Sequence, residues 1–250
     1  MLWKSLAGRC IYRSDNIRVY DNYFFRWLKF NSNAFQSLIS KFSPHKPALN
    51  YVKALTFVAR NIPGNCCMLG LGGAGVAHVL APFLKSYTLT AVEMSPEVIE
   101  VAQHYFMLNQ LANLTVIQDE ANHFITTCQQ TFSHLIIDIA DANDFPTSCK
   151  NQAFFANCER ILTPTGIVAV NIANAYEYPI IFTKLKQQFG SNIITLPVKG
   201  CVNLIFIATR KNNFNTLLNC FKSSKEIKNL IWDKQWGYMA DLDYTNFFSK

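Results

Sequence analysis

Residues 66–80 read CCMLGLGGAGVAHVL: an apolar run, four glycines within six positions, then an apolar pattern that resumes as helix. Gly70-Leu71-Gly72-Gly73-Ala74-Gly75 satisfies G-x-G-x-x-G between a strand and a helix. Glycines at such a turn let the backbone bend tightly and approach a ligand that any Cβ would displace. The first question is whether that ligand brings phosphate.

The segments that follow alternate. CCMLGLG is a buried strand and 74–85 a helix; TLTAVEM is a strand, and Pro96 opens the helix EVIEVAQHYFML with Ser95 as its N-cap. LTVIQD, HLIIDIA and IVAVNIA read as strands, separated by helices over 120–130 and QAFFANCERIL. YPIIFTKLKQQF is a helix, and NIITLP and VNLIFIAT close the series as strands. Strands alternating with helices of this length imply βαβ crossovers and a mostly parallel, doubly wound α/β sheet. Upstream, IRVYDN, FRWLKF and FQSLIS are β-rich and broken at polar turns. ALNYVKALTFVAR follows with helical spacing. The expected organisation is therefore an N-terminal β hairpin or meander (1–50), a Rossmann-like nucleoside-binding domain (51–210) and a helical tail (211–250), with Trp232 and Trp236 on a late helix.

Two acidic positions bear on the ligand. Glu93 ends the second strand eighteen residues past Gly75, where a carboxylate can accept hydrogen bonds from two ribose hydroxyls. An acid there repels a 2′-phosphate. Asp119 and Glu120 end the third strand, where a carboxylate can accept from an adenine amino group. Acids after strands two and three are the habit of S-adenosylmethionine-dependent methyltransferase-type Rossmann domains. The expected ligand is a sulfonium nucleoside, and phosphate is not required.

Bulk properties narrow the class. With 250 residues, half of them apolar and 16% charged, a folded globular chain is expected. Met1 to Arg13 has no apolar centre or small-residue cleavage site, so no secretory signal is expected and the location is cytoplasmic. Eight scattered cysteines without C-x-x-C read as small core residues in a reducing compartment, and no metal site is expected from them or from His78, His104, His123 and His134. The net charge of +7 is uneven: residues 1–64 carry ten Lys/Arg against Asp15 and Asp21, and the remainder is close to neutral. A basic segment can meet nucleic acid or an anionic membrane. No run of adjacent basic residues appears, so neither is expected as a partner.

From here the sequence resembles the polyamine aminopropyltransferases, the spermidine synthase family, over about residues 11–210. The likeness lies in IRVYDN…RWLKF…QS, in LGLGGAGV where the family has GGGDGG, in AVEMSPEVIEVAQHYF, in LIIDIADANDFP and in FFANCERILTPTGIVAVN. Asp138-Ile139-Ala140-Asp141 stands at the family's Asp-x-x-Asp motif. The resemblance implies that Asp138 is the general base and that Asp141 orients the acceptor amine. It further implies that Gln36 and Tyr51 contact the donor, that Glu93 binds its ribose, and that Glu120, with Asp119 beside it, meets the adenine. Gly70, Gly72 and Gly75 of the turn and Met94 after Glu93 complete the implied donor-binding set.

The implied co-substrate is decarboxylated S-adenosylmethionine or S-adenosylmethionine, with no metal. The implied partner is a small-molecule amine such as putrescine, and the implied assembly is a homodimer. The chain departs from the family at Ala74, read as replacing the turn's acid, at Val52-Lys53, where a histidine is usual, and at NIANAYEY, which lacks a glutamine; Tyr176 and Tyr178 stand there as acceptor-side groups. Two alternatives remain: a methyltransferase using intact S-adenosylmethionine, and a non-catalytic nucleoside-binding or interaction protein on the same fold.

Overall fold

The computed structural model describes residues 8–30, 36–140 and 144–244. Asp141 and the expected polar break at Asn31-Ser32-Asn33 lie outside them.

The N-terminal module is an antiparallel meander, β1 (Arg9–Arg13), β2 (Arg18–Asp21), β3 (Phe25–Lys29) and β4 (Ser37–Ser40), in that spatial order. Alternation drives it. Ile17, Val19, Leu28 and Ile39 turn inward and pack with Val98, Val101 and Phe106 of the following domain. The module is therefore seated on the main body and forms one wall beside it.

The helical stretch after it is two short helices, α1 (Asn50–Leu55) and α2 (Phe57–Asn61), because Thr56 turns its hydroxyl back onto the Val52 carbonyl (2.7 Å). The main body then runs β5 (Cys66–Leu69), α3 (Gly75–Leu80), β6 (Leu89–Glu93), α4 (Pro96–Tyr105), β7 (Leu114–Gln118), α5 (Ala121–Thr127), β8 (Phe132–Ile137), α6 (Gln152–Arg160), β9 (Leu162–Ile172), α7 (Tyr178–Phe189), β10 (Ile193–Pro197) and β11 (Leu204–Thr209). Ser95 caps α4 by accepting the Val98 N–H at 3.2 Å, with Pro96 in the first turn.

The nine-stranded sheet, completed by β12 (Ile227–Asp233) and β13 (Gly237–Leu242), has the order β12-β13-β10-β11-β9-β8-β5-β6-β7. Strands β7, β6, β5, β8 and β9 pair in parallel. The chain moves outward from β5 through β6 to β7, then returns to lay β8 on the other side of β5. That reversal opens a crevice beyond the carboxyl ends of β5 and β8, the usual ligand position in a doubly wound sheet. Two buried layers, one on each face of the sheet, make the core. The expected Rossmann-like α/β fold is the fold observed, though β11 runs antiparallel to both its neighbours.

The end of the chain corrects the expected helical tail. After α8 (Phe214–Ser223) it forms a hairpin, β12 (Ile227–Asp233) and β13 (Gly237–Leu242), and β13 joins the sheet edge parallel to β10. IKNLIWD and GYMADL are β-rich runs, and pairing with β10 buries Ala240 and Leu242, which a free helix would leave wet. Trp232 lies on β12 and Trp236 in the hairpin turn, against Phe182 and Phe206, so they share no helix face. The hairpin is pinned by Glu226, whose carboxylate takes two hydrogen bonds from Arg60 (2.9 and 3.0 Å) with Lys53 at 3.6 Å. Two of the N-terminal basic residues are therefore buried structural cations. Cysteine placement is mixed: Cys66, Cys67, Cys149 and Cys158 are buried as expected, whereas Cys10 and Cys201 are exposed. No helix among the described residues is long and apolar enough to cross a membrane.

Candidate functional site

The crevice is a cavity of about 1110 Å³. Its floor is the glycine turn. Gly70 has φ +88° and Gly72 φ +51°, both left-handed. A Cβ on Gly70 would strike the Asp138 carbonyl oxygen, so only glycine lets β5 and β8 end side by side there. The Gly73 N–H donates to the Ser37 hydroxyl at 2.7 Å, which ties the turn to β4 of the N-terminal module.

Glu93 stands at the tip of β6. One oxygen accepts the Leu71 N–H (3.1 Å) and the other the Ser95 N–H (3.0 Å). Two backbone donors orient the carboxylate across the floor, and each oxygen keeps a lone pair for a hydroxyl of a bound ligand. At the tip of β7, Glu120 caps α5 through the His123 N–H (2.8 Å) and accepts the Ser148 hydroxyl (3.0 Å). Asp119 accepts the Glu120 N–H and bonds the His123 ring, both at 2.8 Å. Both line the cavity, but each is already engaged locally.

Asp138 follows β8 and faces the cavity. Asn171 donates to its Oδ1 at 2.8 Å. The Tyr51 hydroxyl donates to the Gln36 carbonyl at 3.3 Å and stands beside the Asp138 carboxyl, whose charged form it favours. Burial pushes Asp138 above the ordinary carboxylate value, and the Asn171 and Tyr51 bonds oppose that rise. Tyr51 is driven well up by burial and by the neighbouring Asp138 charge, so it stays a neutral donor.

Of the residues singled out in the sequence, Gln36, Tyr51, Gly70, Gly72, Glu93, Met94, Asp119, Glu120 and Asp138 all line this one cavity. Gly75 does not: it begins α3, and its neighbours are Ile39 and the Leu38 carbonyl. Asp141 is outside the described residues. Tyr176 is 88% exposed, and neither it nor Tyr178 is among the cavity-lining residues, which corrects their acceptor-side placement. Ala74 is fully buried in a left-handed conformation (φ 56°) within the core, so a side chain at 74 would not reach the ligand space.

Sequence reasoning missed Ser37, Asn171, Asn203 and the loop carrying Lys199 to Asn203, all of which line the cavity. Asn171 had a signal: it is the lone polar residue inside the apolar strand IVAVNI. His78 and His134 are structural, bonded to the Phe106 and Ile62 carbonyls.

The electrostatics of the cavity oppose those of the chain. In a protein of net charge +7, the wall carries Glu93, Glu97, Asp119, Glu120, Asp138, Asp144 and Glu177, and Lys199 is the single Lys or Arg among the described lining residues. Lys150 neutralises Glu177 from outside the wall (2.5 Å). The remaining acids give the cavity a negative potential that favours a cation over an anion.

No protein-family model matches the chain. It is 23% identical over 191 residues to a polyamine aminopropyltransferase of Chromobacterium violaceum, a match covering 75% of this chain and 73% of that one. Among solved structures it superposes on a probable spermidine synthase from Corynebacterium glutamicum with a TM-score of 0.69, at 14% identity, over 95% of this chain and 91% of that one. It also superposes on human methyltransferase-like protein 13 in complex with SAH with a TM-score of 0.58, at 18% identity, over 76% and 97%. The relationship to the aminopropyltransferases is distant, and the fold is shared with both solved structures.

Proposed function

We propose that this protein is a transferase that binds an S-adenosyl donor in the cavity and moves its aminopropyl group to an amine. The observation that carries the reading is the acidic wall of a cavity in a basic protein, with Glu93 and Asp138 converging on it from the tips of β6 and β8, the strands on either side of β5. A sulfonium donor and an amine acceptor are both cationic, and both are attracted there.

The chemistry asks little of the protein beyond placement. The amine nitrogen attacks the methylene carbon next to sulfur, the C–S bond breaks, and methylthioadenosine leaves as a neutral thioether. The attacking amine must shed a proton, and the Asp138 carboxylate takes it. Its burial favours that role, because a carboxylate raised from its ordinary value is a stronger base near neutrality. Glu93 holds the ribose hydroxyls, Asp119 and Glu120 flank the adenine, and Gln36 and Tyr51 close the wall over the reacting groups. In this reading the geometry supplies positioning and charge stabilisation.

One observation favours a second reading, methyl transfer from intact S-adenosylmethionine. The turn 70–75 carries no acid to hold a free aminopropyl amine, and Lys199 offers the cavity a cation that a donor carboxylate would meet. Calorimetry with decarboxylated S-adenosylmethionine, S-adenosylmethionine and methylthioadenosine separates the two. Tighter binding of the decarboxylated donor is expected. Preference for the intact donor transfers the assignment to methyl transfer, and no binding by any of the three rejects both.

A further inference from the structure

Asn171 is 9% exposed, at the carboxyl end of β9, and both ends of its amide are committed. Its nitrogen donates to Asp138 Oδ1 at 2.8 Å, and its oxygen accepts from the Asn203 amide at 2.9 Å. The second bond dictates the first. With Asn203 occupying the oxygen, only the nitrogen can face Asp138, so the carboxylate meets a donor and never the repelling carbonyl. Asn203 is itself fixed at the base of the loop joining β10 to β11, where its carbonyl accepts the Val198 N–H at 3.1 Å. Lys199 to Asn203 of that loop line the cavity, so the wall of the site is tied through two amides to the carboxylate on its floor.

We infer that Asn171 and Asn203 form a positioning pair that aims the Asp138 carboxyl and sets the pH at which it can take a proton. The inference rests on the reading of Asp138 as proton acceptor. A hydrogen bond to the ionised carboxyl favours that form, so the pair, beside the Tyr51 hydroxyl that faces Asp138 from α1, counters the upward push of burial. A purely structural role for Asn171 would be to satisfy amides in a buried strand, with no effect on when Asp138 titrates.

The test compares wild type, Asn171→Leu and Asn203→Ala by two measurements. One is the ¹³C-carboxyl NMR titration of Asp138, which needs no turnover. The other is the acid limb of kcat/KM against pH for amine-dependent release of methylthioadenosine. Loss of a hydrogen bond to a charged group predicts that Asn171→Leu moves both midpoints upward by about one pH unit or more. Asn203→Ala moves them the same way by less, since the Asn171 nitrogen remains but is no longer held. Should Asn171→Leu fail to fold, Asn203→Ala, in a loop, carries the test alone. Unchanged Asp138 titration in a folded variant overturns the pair. A titration that moves while even wild type shows no turnover supports the pair and rejects the proton-transfer reading beneath it.

Discussion

Gly70 and Asp138 are fixed against one another: the Cβ that Gly70 lacks would occupy the place of the Asp138 carbonyl oxygen. The Asp138 N–H donates to the Leu69 carbonyl at 2.9 Å, and the Gly70 N–H to the Val92 carbonyl at 2.8 Å. The turn that would cradle a nucleoside and the carboxylate that would face its reactive carbon are thus one rigid unit at the switch point of the sheet.

Gly70→Ala is expected to damage both. Its φ of +88° costs an L-residue about 1–3 kcal/mol, and the backbone clash adds to that, because neither strand tip can retreat. Thermal unfolding should show a lowered midpoint. Calorimetry should show loss of S-adenosyl ligand binding in whatever fraction folds.

Glu93→Gln tests the second strand tip. The substitution keeps the shape but removes the charge, and a glutamine amide can accept at only one of the two backbone donors, Leu71 and Ser95. Charged hydrogen bonds lost in this way predict methylthioadenosine binding weaker by about 1.5–3 kcal/mol, read by calorimetry. Unaltered affinity would detach Glu93 from the ribose.

Stability should respond at the C-terminal hairpin. Glu226 is held below its ordinary value, despite the opposing effect of burial, by hydrogen bonds and charge from Arg60 and then Lys53. A depressed carboxylate stabilises above its unfolded value, near 4.5, and that contribution is lost as pH falls through the lower folded value. Glu226→Gln strands Arg60 and Lys53 with a neutral partner and should cost about 2–4 kcal/mol in denaturant unfolding at neutral pH. It should also remove the part of the acid sensitivity that lies below pH 4.5.

A separate acid sensitivity belongs to His134. Burial lowers it from 6.5 to about 4, against the Ile62 carbonyl bond that favours its charged form. Its folded value lies below its unfolded one, so its contribution is complete above 6.5 and is lost as pH falls toward 4. In that window the slope should be up to about 1.4 kcal/mol per pH unit for this one group. His134→Gln, followed by unfolding midpoint against pH, should flatten the curve there.

Much of this was legible in the residues, for identifiable reasons. The glycine turn and Glu93 announce themselves because a backbone constraint and a strand-end acid leave fixed spacings in sequence. Asp138 is reached through the family resemblance at Asp138-Ile139-Ala140-Asp141 and not through a spacing of its own. The tail was misread because IKNLIWD has no partner in its own neighbourhood: its pairing with β13, and β13's with β10, are contacts between distant segments that local pattern does not encode. Ala74 stands in the sequence as a loss at the site, yet in the fold its side chain enters the core. Asn203 left no trace, because a single amide in a loop acquires meaning only when Asn171 stands 2.9 Å away.

Asp138 is proposed to face the reacting carbon of an S-adenosyl donor and to accept the proton of the attacking amine. The most direct measurement is methylthioadenosine release from decarboxylated S-adenosylmethionine with putrescine, for wild type and Asp138→Asn, alongside donor affinity. Wild type is expected to show amine-dependent release, Asp138→Asn to lose it by about a hundredfold or more, and both to retain donor binding. Equal turnover in the two proteins would contradict that role for Asp138.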